Sequence, residues 1–307
     1  MLALEAGRAT DAAIAIATSL DLEVGNAVIL NNSNKLTLRL QPCDVVARIA
    51  LEHDTSAQFE IRLAQQLVDA GCPVASLDPR VPPRVYALGD FVVTLWTYYA
   101  SATSEQVPPP DYAAALMRLH AGMRTLDAPV PHFMDRVESA LRLLCDPKQS
   151  PALSDADRAT LLHTLRTVAP AINEFGGAQM LHGEPHPGNL LETKDGPLFI
   201  DLETCCRGPV EFDLAHAPEA VSDYYPTVNT ELLRKCRLIA LALATTWRWD
   251  RDDKLPHGRQ LAAEWLEQLH RTSELAGDEN LDSGADRRPD DCSAIVDRSA
   301  WSPVIPP

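Results

Sequence analysis

One stretch of the chain restricts its fold more than any other. Leu181-His182-Gly183-Glu184-Pro185-His186-Pro187-Gly188-Asn189-Leu190-Leu191 carries two prolines and two glycines between Gly183 and Gly188. Neither residue type suits a helix interior or a central strand, so this interval reads as a rigid loop. It opens into an apolar strand at Leu190-Leu191, a turn at Lys194-Asp195-Gly196, and a returning strand from Pro197 to Ile200 that ends on Asp201. A hairpin of that length brings Asn189, at the start of one strand, close to Asp201, at the end of the other. An amide oxygen beside a carboxylate makes a pair of hard ligands suited to Mg2+. Glu184, five residues before Asn189, is then placed to address a hydroxyl group beside that ion.

The rest of the chain supplies a setting for this loop. Apolar positions at helical spacing predict a first helix within residues 1–20. Asn31-Asn32-Ser33-Asn34 reads as a turn cluster, followed by strand-like alternation in Leu36–Leu40, a turn at Pro42 and Asp44, and a second strand over Val45–Ala50. Thr55 or Ser56 is placed to cap a helix that ends at Gly71. Val85–Leu88 and Phe91–Trp96 are two more strands around a Gly89-Asp90 turn. After the proline run 108–110 the pattern turns helical: Tyr112–Met123, Phe133–Leu144, Ser154–Phe175 opened by a Ser154/Asp157 capping box, then Thr230–Trp247 and Arg259–Leu275. The fold class is therefore α+β, bilobal, with a small β-rich N-terminal lobe (1–100) and a larger, mainly helical C-terminal lobe (101–276). Residues 277–307, rich in Asp, Gly, Ser and Pro, are expected to be disordered.

Composition narrows the function. A net charge of −16 argues against a nucleic-acid partner, because phosphate backbones demand clustered Lys and Arg. An acidic surface favours cationic small molecules and also keeps a protein dispersed. No apolar run approaches the length of a membrane helix, and the first residues lack a signal-peptide pattern, which predicts a cytoplasmic protein without a membrane partner. Seven scattered cysteines with no Cys-x-x-Cys favour reduced thiols over a disulfide framework or zinc ribbon.

His182-Gly183, Asn189 and Ile200-Asp201 resemble the H-G-D-x-x-x-x-N … I-D signature of aminoglycoside phosphotransferases and their relatives, small-molecule kinases with a protein-kinase-like fold. Gly208-Pro209-Val210-Glu211-Phe212-Asp213-Leu214-Ala215 is similar to that family's G-x-x-x-x-D-L-A block. The resemblance implies transfer of the γ-phosphate of ATP or GTP to a hydroxyl of a small molecule, with Mg2+ held by Asn189 and Asp201. It implies that Asp213 braces the loop backbone, while His182 reads as a buried anchor of the loop because buried polar groups are paired. Arg48 matches the phosphate-gripping residue and Glu60 its ion-pair partner. Ser33 falls in the nucleotide-covering loop, and Trp96 and Tyr98 fall where the base is held. The chain departs from the pattern at Glu184, where the family has aspartate. That side chain is one methylene longer, so it serves a hydroxyl only if the loop is set back by about 1 Å.

Two other readings use the same residues. The first is a nucleotide- or ligand-binding module that transfers nothing. The second is a metal-dependent hydrolase built on His182, Glu184 and His186, although Pro185 and Pro187 break the strand that would align them, and the Pro-Cys-x-x-Cys of zinc deaminases is missing. Glu203, Glu219 and Asp223 are candidates for recognising a cationic acceptor, or are simply solvated acids.

Overall fold

The computed structural model describes residues 3–277, except 34, 101–106 and 256. Helix α1 (Ala3–Ser19) precedes three strands, β1 (Val24–Asn32), β2 (Leu36–Pro42) and β3 (Val45–Leu51). Helix α2 (Ser56–Asp69) follows, then β4 (Tyr86–Leu88) and β5 (Phe91–Thr97). These five strands form one antiparallel sheet in the order β1-β2-β3-β5-β4.

Alternation along the strands decides what each face does. Leu36, Leu38 and Leu40, Val45, Ala47 and Ile49, and Phe91, Val93 and Leu95 are buried against Ala9, Ala13, Ile16 and Ala17 of α1. The intervening residues point the other way, toward α2 and the helical lobe. Val46 and Trp96 join that second cluster with Leu63 and Leu67 of α2. Arg48 lies two residues from Val46 and shares its face, which is why a charged residue in a buried strand comes to lie over α2.

β1 was not legible as a strand. It runs through Asn31 and Asn32, where the sequence suggests only a turn, and most of its residues are exposed. An edge strand without a buried face carries no alternation, so its pairing with β2 (Val28 opposite Arg39) comes from the sheet itself. The cap of α2 also differs from expectation. The Thr55 side chain makes no cap bond, and Asp54 Oδ1 instead accepts from the backbone N and the Oγ of Ser56, at 2.8 and 2.6 Å.

The helical lobe contains α3 (Pro109–Met123), α4 (Phe133–Cys145) and α5 (Asp155–Glu174). The proline run does not merely precede α3 but begins it, since the first helical turn needs no amide donors. Ser154 caps α5 by accepting from Asp157 N at 3.1 Å. Two small hairpin-like pairings follow: β6 (Gln179–Leu181) with β9 (Cys206–Gly208), and β7 (Leu190–Thr193) with β8 (Gly196–Phe199). Helices α6 (Val210–Leu214), α7 (Thr230–Arg248) and α8 (Gly258–Gly277) complete the lobe. Phe133, Val137, Leu161, Leu165, Phe212, Ile239, Leu243 and Leu266 form its main core. No helix of the described residues is long and apolar enough to cross a membrane. Beyond Gly277, the residues expected to be disordered lie outside the described ones.

Candidate active site

The loop after β6 is fixed at almost every backbone group. Gly183 has φ +91°, and a Cβ there would come within 2.0 Å of the Thr204 carbonyl oxygen, so only glycine fits. Asp213, fully buried on α6, accepts from the backbone N of His182 at 2.9 Å and of Gly183 at 2.8 Å. His120 Nε2 meets the same carboxylate at 2.8 Å, and His120 Nδ1 pairs with the Tyr225 hydroxyl at 2.8 Å. Burial would raise the Asp213 carboxyl, but the hydrogen bond and charge of His120 with the loop amide hold it below the usual range. His182 is buried, and its Nε2 pairs with the Ile200 carbonyl at 2.9 Å. Tyr112 of α3 donates to the Pro185 carbonyl. The loop is therefore preorganised by buried polar groups that each have a partner.

The β7–β8 hairpin brings its two ends together. Leu190 is opposite Phe199, and Ile200 N donates to the Asn189 carbonyl at 3.0 Å. The Asn189 amide nitrogen donates to the Glu184 carbonyl at 3.0 Å, which ties both residues into one turn. Asp201 adopts a left-handed conformation with φ +65°, strained for a residue with a Cβ. It is held there from the other lobe. Arg48 Nη2 donates to Asp201 Oδ1 at 2.8 Å, and Arg48 Nη1 pairs with Glu60. Glu60 Oε1 in turn accepts from Leu202 N at 3.2 Å. Burial would weaken the Arg48 cation, but Asp201 and Glu60 more than reverse this and raise its pKa. The same pairing holds Asp201 below the usual carboxylate range, against the effect of burial.

Glu203 does not face an acceptor. It is buried, and its Oε2 pairs with Lys35 and accepts from Ser56 Oγ at 2.9 Å. Burial, with Asp201 beside it, pushes the Glu203 carboxyl up to about 7. Carboxylate oxygens of Glu60, Asp201 and Glu203 lie within 4.8 Å of one another, and Glu203 Oε1 is buried with no hydrogen-bond partner among the described residues. This set, rather than His182, Glu184 and His186, is where acidic groups converge among the described residues. His182 is spent on Ile200, and His186 Nδ1 caps its own turn by accepting from Gly188 N at 3.0 Å, so the His-x-Glu-x-His reading has no geometry behind it.

Other expected positions are dispersed. The Trp96 ring lies in the core with Nε1 donating to Thr94 Oγ1 at 2.8 Å, so it offers no exposed platform for a base. Tyr98 is covered by the Arg39 guanidinium, 3.9 Å above its ring. Ser33 lies in the β1–β2 loop, where Asn31 Nδ2 donates to its Oγ at 3.4 Å. Glu219 is exposed and pairs with Arg237 at 3.2 Å, and Asp223 is exposed nearby in sequence.

Two cations of the site escaped the sequence reading. Lys35, at the mouth of the β1–β2 loop, pairs with Glu203 and lies 3.4 Å from Asp54. Its signal was rarity: it is the first lysine in the chain, and the next is Lys148. Arg136, in the first turns of α4, donates to the Gly183 carbonyl at 3.2 Å and pairs with Glu184 Oε1. Nothing in the local sequence distinguishes it from other helix-surface arginines. Burial would raise the Glu184 carboxyl, but Arg136, with His216 and His186, pulls it below the usual range.

Comparison with known proteins supplies the context for this geometry. The model of the phosphotransferase enzyme family, APH, matches residues 29–252. No curated protein sequence matches. The structure of wild-type aminoglycoside 2'-phosphotransferase-IIIa with GDP aligns at TM-score 0.66 and 13% identity, covering 86% of this chain and 99% of that one. Amicoumacin kinase hAmiN, in complex with AMP-PNP, Ca2+ and Ami, aligns at TM-score 0.62 and 12% identity, over 89% of this chain and 97% of that one. Choline kinase LicA from Streptococcus pneumoniae aligns at TM-score 0.61 and 15% identity, over 85% and 99%. At these identities the likeness establishes a shared bilobal fold.

Proposed function

Because the chain belongs to the phosphotransferase enzyme family and is with it a small-molecule kinase, we propose that it moves the γ-phosphate of ATP or GTP to a hydroxyl of a small molecule. One observation carries this reading. The Asn189 amide bonds the Glu184 carbonyl, the Asn189 carbonyl accepts from Ile200 N next to Asp201, and Asp201 is held by Arg48, itself paired with Glu60 in the opposite lobe.

The residues present fit a hard divalent cation such as Mg2+. Three carboxylates converge, and the buried Oε1 of Glu203 has no hydrogen-bond partner among the described residues. Asn189 and Asp201 are the residues that would hold the ion, with Glu203 beside them. When bound, such an ion neutralises charge on the phosphates. Arg48 and Lys35 grip phosphate oxygens in exchange for their carboxylate partners, so the site's cations and anions are already paired before substrates arrive. Asp213 and Gly183 keep the turn rigid, and most of the rate gain in this chemistry comes from such positioning. Glu184, ionised at neutral pH, accepts the hydrogen bond of the acceptor hydroxyl. It orients that oxygen in line with the γ-phosphorus and takes up the proton as the new O–P bond forms and the bond from the γ-phosphorus to the β,γ-bridging oxygen breaks, releasing ADP or GDP.

Residues 1–100 serve in this reading as the nucleotide lobe and 101–276 as the catalytic and acceptor lobe. The acceptor class is a sugar, an aminoglycoside-like compound or an amino alcohol, in line with structural neighbours that include a choline/ethanolamine kinase family protein and an aminoglycoside 2'-phosphotransferase. The test is a screen of γ-labelled ATP and GTP with these acceptor classes and with a metabolite extract. Label transferred to a small molecule is the expected result. Nucleotide bound without transfer to any acceptor would favour the binding-module reading instead.

A further inference from the structure

We propose that Arg136 is a positioning residue for Glu184, and that glutamate rather than aspartate is needed at this point of the loop because Arg136 is there. The inference rests on the phosphotransfer reading above and adds a residue to it. Its starting point is the one departure of the loop from the family's pattern. A glutamate carboxylate extends about 1 Å further than an aspartate's along the same direction, and an unrestrained stem of that length would sample several rotamers.

Arg136 removes that freedom. Its guanidinium spans two acceptors of adjacent residues, the Gly183 carbonyl through Nη1 and Glu184 Oε1 through Nη2. A planar fork can hold both at once, which a lysine ammonium on its flexible stem cannot do in the same geometry. The Arg136 side chain is 8% exposed and that of Glu184 20%. The pair therefore points from the interior outward, with the arginine behind and the carboxylate in front. Among the described residues Glu184 Oε2 accepts no hydrogen bond, and it is the oxygen left for an acceptor hydroxyl.

The clamp is itself anchored to the loop it serves. His132 N donates to Asp135 Oδ2 at 2.8 Å, fixing the start of α4. Arg207 N of β9 donates to the Pro131 carbonyl at 2.7 Å, and β9 pairs with β6, the strand that launches the loop. Arg136 and Glu184 thus hang from the same two-stranded element, and their separation is set by it. With aspartate at position 184, the carboxylate could keep Arg136 or reach the acceptor, but not both. A plain structural ion pair makes a different forecast: loss of Arg136 would lower stability and leave turnover per folded molecule unchanged.

The experiment is a double-mutant cycle on the full chain, using the acceptor found by the screen and measuring kcat, nucleotide KM and melting. The variants are Arg136→Lys, Arg136→Ala, Glu184→Asp and the two doubles. Arg136→Lys keeps the charge and most of the stem, so it is the informative variant if the alanine form does not fold. The expected result is a kcat reduced about tenfold to 100-fold in each single variant, with nucleotide KM within about twofold. The doubles should be no more than a few-fold worse than the weaker single, because both changes break one unit. Three outcomes overturn the inference: wild-type kcat in a folded Arg136→Lys variant, Glu184→Asp as fast as wild type, or losses that simply multiply. If the wild-type chain itself transfers no phosphate, the functional reading falls and the inference with it.

Discussion

Replacing Asp213 by asparagine tests whether the loop is held by one buried carboxylate. Asp213 is fully buried and receives the backbone N–H of His182 and of Gly183 and meets His120 Nε2, all at 2.8 to 2.9 Å. Asparagine keeps one acceptor oxygen and turns the other into a donor, which then faces an N–H or the His120 ring. A hydrogen bond to a charged group contributes about 1.5–3 kcal/mol, and an unpaired buried donor costs about 1–3 kcal/mol. One bond lost and one donor stranded therefore gives roughly 2.5–6 kcal/mol. Against a typical stability of about 5–15 kcal/mol, the variant should still fold, with melting lowered by roughly 10 °C. Urea unfolding of the two proteins reads the difference directly, and an unchanged m-value excludes a collapse of the whole lobe. Transfer activity should fall as well, since His182 and Gly183 lead into Glu184. A cost below about 1 kcal/mol, with full activity, would refute the idea that Asp213 braces the loop.

Gly183→Ala should cost at least about 3 kcal/mol, because it combines an unfavourable φ with a backbone clash at Thr204; near-wild-type melting would contradict this. Lys35→Met removes one charge-assisted contact and should lower kcat/KM for nucleotide roughly tenfold or more. An unchanged value would mean that Lys35 serves only Glu203. At His216 and His182, acid should destabilise the fold from pH 6.5 downward, opposed over the same range by Glu203, whose raised carboxyl binds its proton first in the folded state. Burial pushes His216 down to about 4 and also lowers His182, so the unfolded chain takes up protons first. Above pH 6.5 both states are neutral at these rings and nothing changes. Below it stability falls by up to about 1.4 kcal/mol per pH unit for each group, or of order 3 kcal/mol for His216 by pH 4. Melting of wild type and His216→Gln compared between pH 7 and pH 5 checks this: the wild type should lose stability relative to the variant as pH falls.

The sequence revealed most where a local rule fixes the structure. Alternation in Leu36–Leu40 and the apolar runs Val45–Ala50 and Phe91–Trp96, bounded by turns, marked three strands of the sheet, while only the folded sheet shows that Arg48 lies on the face toward α2. Prolines and glycines around Glu184 announced a loop, and the short run to Asp201 announced a hairpin. What was hidden depends on contacts distant in sequence. Lys35 meets Glu203 across 168 positions, and Arg136 meets Glu184 across 48. Neither pairing leaves a periodic trace. Glu203 read as a surface acid because burial of a carboxylate is uncommon, and only the arrival of Lys35 and Ser56 makes it tolerable. Trp96 misled for the opposite reason: its place in the chain suggested a base-binding platform, while the sheet turned its ring inward.

Calorimetric titration of nucleotide, with and without Mg2+, into wild-type protein and the Asp201→Asn and Asn189→Ala variants addresses the central assignment most directly. Two oxygen ligands gripping an ion that the phosphates share should couple the two binding events. Wild-type affinity for nucleotide should therefore rise about tenfold or more with Mg2+, and both variants should lose that gain while melting as a single unit. Mg2+ enhancement that persists undiminished in Asp201→Asn would place the ion elsewhere and contradict the account.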